Sequence, residues 1–337
     1  MNTRVRLSDV ARLANVSSAT ASRALSNPDL LHPDTLLRIQ EAVNKLGYVP
    51  HGMARALASR RTHTIGLVVP TLDHAIFSQF TQTLQATLAE SGYALLITSH
   101  EYKAAIELSG ARALIARGVD ALVFVGTQRT RALTDLLEQT KIPNIATWSV
   151  DRTGTIPSVG FDNEAASARL TAHLLKLRHR HFGVISGVTH YNDRARARVD
   201  GIRECLRQAG LTLPAANVVE QPFTYAGGRA GLRTLCALSP RPTAVICGND
   251  LLAIGALFEC QAIGLSVPRD LSITGFDNSE LASHVSPGLT TANVPARELG
   301  MRSAQTVLDL LAGEALQTPI ELPIELVVRG STDVAPS

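Results

Sequence analysis

Six short runs, TIGLVV, ALLIT, DALVFV, HFGVIS, TAVICG and LSITGF, are almost continuously apolar and are separated by longer stretches with helical periodicity. Strands apolar on both faces belong to parallel sheets covered by helices on both sides. From about residue 62 the sequence therefore predicts α/β layers with every such strand buried. The roughly 275 residues that follow exceed one small sheet, so two doubly wound lobes are expected. Ligands of such sheets bind outside the carboxyl ends of the strands, which puts a candidate site in a cleft between the lobes.

The residues before this body have a different character. Up to Arg61 there are nine Lys and Arg against four Asp and Glu, net +5, whereas the remainder has 23 against 25, net −2. A local basic surplus suits a polyanion, because nucleic-acid affinity comes largely from neutralising phosphates and releasing their counterions. Ser8 is expected to cap a first helix in which Leu7, Val10, Ala11 and Ala14 share a face. After a turn at Asn15-Val16, Ser17 caps a second helix with Ala21, Ala24 and Leu25 inward and Ser18, Ala19, Ser22 and Arg23 outward. Beyond the Asn27-Pro28 break, Pro33 suits a first helical position, and Leu36, Ile39, Val43 and Leu46 repeat at helical spacing up to Gly47. Two helices joined by a tight turn are a DNA-reading unit whose second helix enters the major groove. The same pattern also fits a helical pair whose polar face is only solvated.

The runs LSDVARLANVSSATASRALSNP and LGYVPHGMARALASRRTHTIGLVVP resemble the head and hinge of the LacI/GalR family of bacterial transcription regulators. Similarity continues through HLLKLRHRHFGVISG, CGNDLLAIGALF, VPRDLSITGFDNSELA and PGLTTANVP. The resemblance implies a helix-turn-helix DNA-binding domain over 1–49, a hinge helix and linker over 50–61, and an effector-binding and dimerisation core over 62–330. The core is expected to have a periplasmic-binding-protein-like fold. Its N-lobe would take about 62–161 and 293–322, its C-lobe about 162–292 and 323–330, with crossovers near 161–164, 291–294 and 322–324 and a tail at 331–337.

On the DNA side the resemblance implies contacts from Ser8, Ser17, Ser18, Ala19, Thr20, Ser22 and Arg23 in the head and from Arg55 and Leu57 in the hinge. Ser18, Ala19 and Arg23 occupy base-facing positions, and Thr20 and Ser22 positions that touch phosphate. Arg23 is the strongest reader, since a guanidinium can bond guanine O6 and N7 together. Leu57 falls where the family places a minor-groove wedge, which kinks the duplex at a central base step. Met53 and Leu57, at i and i+4, could instead pack on the body. His51 replaces the Asn usual at the start of this helix and weakens its cap.

On the effector side the matching positions are His74, Ile76, Phe77, Trp148 and Phe161 from the N-lobe and Asn192, Arg194, Arg198, Phe223, Asn249 and Asp277 from the C-lobe. Aromatic faces pack on the C–H face of a polyol, while Arg, Asn and Asp orient hydroxyls or a carboxylate. Phe77, Trp148 and Phe161 could equally be core aromatics, Arg198 one of several solvated arginines, and Asp277 a cap for the helix after it. Trp148 departs from the acidic residue of many sugar-binding relatives, and its presence beside Arg198 favours an anionic effector. VGFDN, RHRHFG and FECQAIGLSVP also resemble the gluconate-repressor branch, which points to gluconate or a keto-gluconate. A neutral sugar or a purine corepressor is the alternative.

Cys205, Cys236, Cys247 and Cys260 lie 31, 11 and 13 residues apart with no CxxC pair, so neither zinc nor disulfides are expected. His179-Arg180-His181 precedes a strand and reads as a solvated turn. GxGxxG, Walker and GxSxG motifs are absent and no nucleophile–base pair is evident, which argues against an enzyme, and no cofactor is expected. There is no apolar run of the ~18 residues that span a bilayer and no signal segment, so a cytoplasmic protein is expected, without a membrane partner and unlike an exported solute-binding protein. No leucine heptads follow VVRGSTDVAPS, and a homodimer on a pseudo-palindromic double-stranded operator is expected.

Overall fold

The computed structural model describes residues 5–26, 30–48 and 61–336. The chain divides into two compact units, Met1–Thr64 and Ile65–Ser337.

The first unit contains α1 (Leu7–Leu13), α2 (Ser18–Ser26) and α3 (Pro33–Leu46). Ser17 caps α2 as expected, its Oγ accepting from the Thr20 amide at 3.0 Å. The α1 cap differs from expectation: Ser8 lies inside the helix, and the Asp9 carboxylate closes the first turn by accepting from the Arg6 amide at 2.9 Å. An acceptor at the third helical position can reach back to the cap amide, which the sequence pattern around Ser8 did not reveal. Pro33 opens α3, and Gly47 ends it with φ 62°, a left-handed conformation that glycine adopts without a Cβ penalty. Val10, Ala14, Ala24, Ile39 and Ala42 form the small core on which the three helices pack.

The second unit has two six-stranded sheets. One contains β1 (Thr64–Val69), β2 (Ala94–Ser99), β3 (Ala121–Val125), β4 (Asn144–Thr147), β5 (Ser158–Gly160) and β11 (Ile320–Glu321), in the order β11-β5-β4-β3-β1-β2. The other contains β6 (Phe182–Ser186), β7 (Val218–Glu220), β8 (Ala244–Cys247), β9 (Ser272–Asp277), β10 (Thr290–Asn293) and β12 (Glu325–Val327), in the order β12-β10-β9-β8-β6-β7. Pairing is parallel between β1 and β3, β3 and β4, β6 and β8, and β8 and β9, and antiparallel where β12 closes on β10. Helices α4 (Ala75–Glu90), α5 (Ala104–Ala116), α6 (Arg131–Thr140) and α12 (Ala296–Ala312) accompany the first sheet. Helices α7 (Asn163–Lys176), α8 (Asp193–Gln208), α9 (Tyr225–Cys236), α10 (Asp250–Ile263) and α11 (Glu280–His284) accompany the second. The chain passes between sheets after β5, after β10 and between β11 and β12, so neither lobe is continuous in sequence.

Burial follows the apolar runs at β1, β3, β6, β8 and β9, where almost every residue is enclosed. ALLITS is the exception. It forms the edge strand β2, with Leu96 and Ile97 exposed at 36% and 39%, because an edge has a neighbour on one side only. One further expectation is corrected. His179 is fully buried, one ring nitrogen meeting Thr243 and the other Ser272 and the Asp333 carbonyl, so this part of the His-Arg-His triplet is an internal tie and not a solvated turn. At the start of the tail, Ser331 is buried, donates to the Ile273 carbonyl and accepts from the Thr290 amide.

Candidate functional site

Parallel strands release their chain at the carboxyl edge, and the next helix starts there with its amide-rich end. The two lobes turn these edges toward one cavity. His74 precedes α4, Trp148 follows β4, Asn192 caps α8, Phe223 lies just before α9, Asn249 caps α10 and Asp277 ends β9. Ile76 and Phe77 come from the first turn of α4, Arg194 from the first turn of α8 and Arg198 from its second. All ten of these candidates line one cavity of about 30 Å³. It continues past His74, Ile76, Asn249 and Asp277 into an outer compartment of about 430 Å³ that also meets Tyr225 and Glu280.

Two placements differ from expectation. Phe161 is not on the cavity wall; it is a core aromatic between Trp148 and Phe276, with ring centroids at 6.3 and 6.1 Å. Tyr102, which follows β2, lines the cavity and was not foreseen. It packs against Phe223 at 5.7 Å, and its only sequence signal is an aromatic just past a strand run. Trp148 combines both readings: it is 1% exposed and packed on Phe77 at 4.7 Å, yet forms part of the wall. Tyr102, Trp148 and Asp277 have φ of 59°, 70° and 113°. Such non-glycine conformations cost energy and concentrate at functional sites.

The polar groups are positioned by helix caps and by stacking. Asn192 and Asn249 each use the side-chain oxygen to cap a helix, accepting from the Ala195 and Leu252 amides at 3.3 and 3.0 Å. Their amide nitrogens donate to no protein group among the described residues. Arg198 stacks on Phe276 with its guanidinium carbon 3.6 Å from the ring centre. Its Nε donates to Asn163 at 2.9 Å and its Nη1 to the Gly248 carbonyl at 2.7 Å, leaving Nη2 for the cavity. Burial brings its pKa down to about 10, so it remains a cation at neutral pH.

Asp277 faces the same space, and its carboxylate accepts no hydrogen bond among the described residues. It does not cap the following helix, α11, whose cap position is Ser279. Burial raises its pKa to about 8, the Arg198 charge opposing this rise and the Asp250 carboxylate adding to it. Burial likewise raises Asp250, to about 6, although it accepts from the Thr291 hydroxyl and the Ser279 amide, both at 2.6 Å. Burial lowers the pKa of His74. At neutral pH the wall thus combines a fixed cation at Arg198, a neutral His74 and a largely protonated Asp277. This arrangement can bind and orient a polar solute.

In the head, Ser18, Ala19, Ser22 and Arg23 lie together on the exposed face of α2, with Ser8 exposed on α1. Thr20 is partly buried, its hydroxyl 2.8 Å from that of Ser17. Arg55 and Leu57 lie outside the described residues.

Residues 6–51 match the model of bacterial regulatory proteins of the lacI family, and residues 171–332 match that of a periplasmic binding protein-like domain. The HTH-type transcriptional repressor CytR of Escherichia coli K12 is 31% identical over 99% of this chain and 98% of its own length. The chain belongs to the LacI family. A solved lac repressor dimer, bound to operator and an anti-inducer, superposes with a TM-score of 0.88 at 26% identity, covering 98% of this chain and 100% of that one. The transcription regulator GntR of Chromobacterium violaceum gives a TM-score of 0.75 at 30% identity over 80% of this chain and 99% of its own. This LacI-family protein is accordingly a DNA-binding transcriptional regulator with an effector-binding domain. Among the described residues no helix is long and apolar enough to cross a membrane.

Proposed function

We propose that this regulator is a repressor, that it binds a pseudo-palindromic operator as a homodimer, and that a sugar acid such as gluconate or a keto-gluconate controls it. Ser18, Ala19 and Arg23 read bases, Ser8, Ser17, Thr20 and Ser22 fix the head on the backbone, and Arg55 and Leu57 act in the minor groove. His74, Ile76, Phe77, Trp148, Asn192, Arg194, Arg198, Phe223, Asn249 and Asp277 form the effector site, with Tyr102 added and Phe161 supporting Trp148 from behind. Effector binding changes the relative rotation of the two N-lobes of the dimer and with it the spacing of the hinges. By linkage, the factor by which the effector alters operator affinity equals the factor by which operator alters effector affinity, typically ~1–3 kcal/mol of coupling.

The observation that carries the sugar-acid reading is Arg198. Its guanidinium is oriented by Asn163, Gly248 and Phe276, keeps Nη2 for the cavity, and shares the cavity wall with Trp148 and with Asp277, whose carboxyl burial pushes toward the protonated form. A cation whose facing carboxyl is pushed by burial toward its neutral form suits an anion, and hydrogen bonds to an ionised partner are about twice as strong as neutral ones. Calorimetry with gluconate, 2-ketogluconate and glucose tests this. The acid should bind more than about tenfold tighter than glucose, a difference of ~1.4 kcal/mol. Tighter binding of glucose, or of a purine base, would overturn the sugar-acid assignment.

A further inference from the structure

The residues that open α8 reach across the cleft and grip the other lobe. The Asp193 carboxylate accepts from the Thr127 amide at 2.7 Å and hydroxyl at 3.0 Å, just beyond β3, and from the Ser149 hydroxyl at 3.1 Å, just beyond β4. Arg194 Nη1 donates to the Val125 carbonyl at 3.1 Å and to Asp193 at 2.8 Å. Tyr191 donates its hydroxyl to Glu107, a buried residue of α5, and Arg196 donates to Gln128 at 3.2 Å.

This grip is shielded from water and closely fitted. The side chains of Asp193 and Arg194 are only 15% and 7% exposed. Burial pushes the Asp193 carboxyl up, but the Arg194 charge and the hydrogen bonds from Thr127 and Ser149 outweigh it and hold the pKa below its ordinary value. Gly126, at φ 94°, lies where a Cβ would overlap both the Arg194 guanidinium and the Asp193 carboxylate, so the approach of the lobes depends on a residue without a side chain. Hydrogen bonds to an ionised acceptor are the stronger class, and Asp193 takes three of them from the opposite lobe.

The inner cavity, at about 30 Å³, has room for one or two water molecules, and the outer compartment of about 430 Å³ is not lined by Arg198, so a six-carbon acid meets Arg198 only when the inner cavity widens. We infer that Asp193, with Tyr191 and Arg194, forms a clamp between the lobes that must release before an effector enters or leaves. The clamp therefore sets the rate of effector exchange. The inference rests on reading the cleft as the effector site, but opening of the lobes can be measured without any effector.

Trp148 is the chain's single tryptophan and lies in the cleft wall, so its quenching by acrylamide in the full-length protein reports how often the lobes part. Two variants cut the clamp away from Trp148: Asp193→Asn on the C-lobe, and the pair Thr127→Val with Tyr191→Phe, which removes one contact from each side. Both should raise the quenching rate constant about tenfold, equivalent to ~1.4 kcal/mol in the opening equilibrium, and should speed gluconate dissociation by a similar factor. Unchanged quenching in both variants overturns the clamp. So does a rise confined to Asp193→Asn and accompanied by a lower unfolding midpoint, because Asp193 would then serve only the first turn of α8. Should gluconate fail to bind at all, the sugar-acid reading falls and the quenching result still decides the clamp.

Discussion

Replacing Arg198 by Ala should abolish the preference for a sugar acid over its neutral parent. The wild-type side chain makes two protein hydrogen bonds and a ring contact that fix its direction, and Nη2 is the donor left for a ligand. A hydrogen bond to a charged partner contributes about 1.5–3 kcal/mol, or ~10- to 150-fold in affinity, against about 0.5–1.5 kcal/mol for a neutral hydroxyl. Gluconate should therefore lose at least about tenfold, and glucose a few-fold at most. The substitution also deprives the Asn163 side chain and the Gly248 carbonyl of their donor, at a cost of about 1–3 kcal/mol each where they stay dry, so unfolding midpoints must accompany the calorimetry. Arg198→Lys separates charge from shape: it keeps a cation but not the fork, and should recover part of the acid preference. Operator affinity without effector should be unchanged in both variants. Equal losses for gluconate and glucose would refute the reasoning, since they would show that Arg198 maintains the shape of the cleft and does not meet a carboxylate.

Arg23→Ala should lose discrimination at one base pair of each half-site by roughly 1–3 kcal/mol, measured by anisotropy on a set of single-base site variants, whereas a uniform loss would indicate a phosphate contact. Leu57→Ala should reduce operator bending in an energy-transfer assay along with affinity; an unchanged bend would place that side chain against protein. Sugar-acid affinity should fall as pH rises through about 8, because Asp277 is neutral below its raised pKa and an opposing anion above it. Asp277→Asn, neutral at every pH, should remove that fall, and a fall that persists assigns the titration elsewhere.

The parts of the fold legible in the sequence were those with a strong local cause. Continuous apolar runs marked β1, β3, β6, β8 and β9, and the signals at Ser17, Pro33 and Gly47 marked helix ends. β2 has the same composition as its buried neighbours, and only its place at the sheet edge, a tertiary fact, makes it exposed. β5, β11 and β12 have two or three residues each, too few to show a period. His179 was misread because its partners Thr243, Ser272 and Asp333 lie 64, 93 and 154 residues away. Asn192, Asn249, Arg198 and Asp277 were legible through family position, and the helix caps that orient the two asparagines appear only in the structure. Tyr102 carries no such mark. The grip of Asp193 on Thr127 and Ser149 was equally hidden, since DRARARVDGI reads as an ordinary charged helix start until the opposite lobe is in place.

Under the proposed function, one small molecule in the cleft governs how tightly the head holds DNA. The direct measurement is the affinity of the full-length protein for DNA fragments selected by it from its own genome, titrated with and without saturating gluconate. The selected site should be pseudo-palindromic and its affinity should change about 5- to 150-fold with the acid, the range of a typical coupling, while glucose has little effect. A site bound equally well with and without gluconate, although calorimetry shows the acid in the cleft, would contradict it.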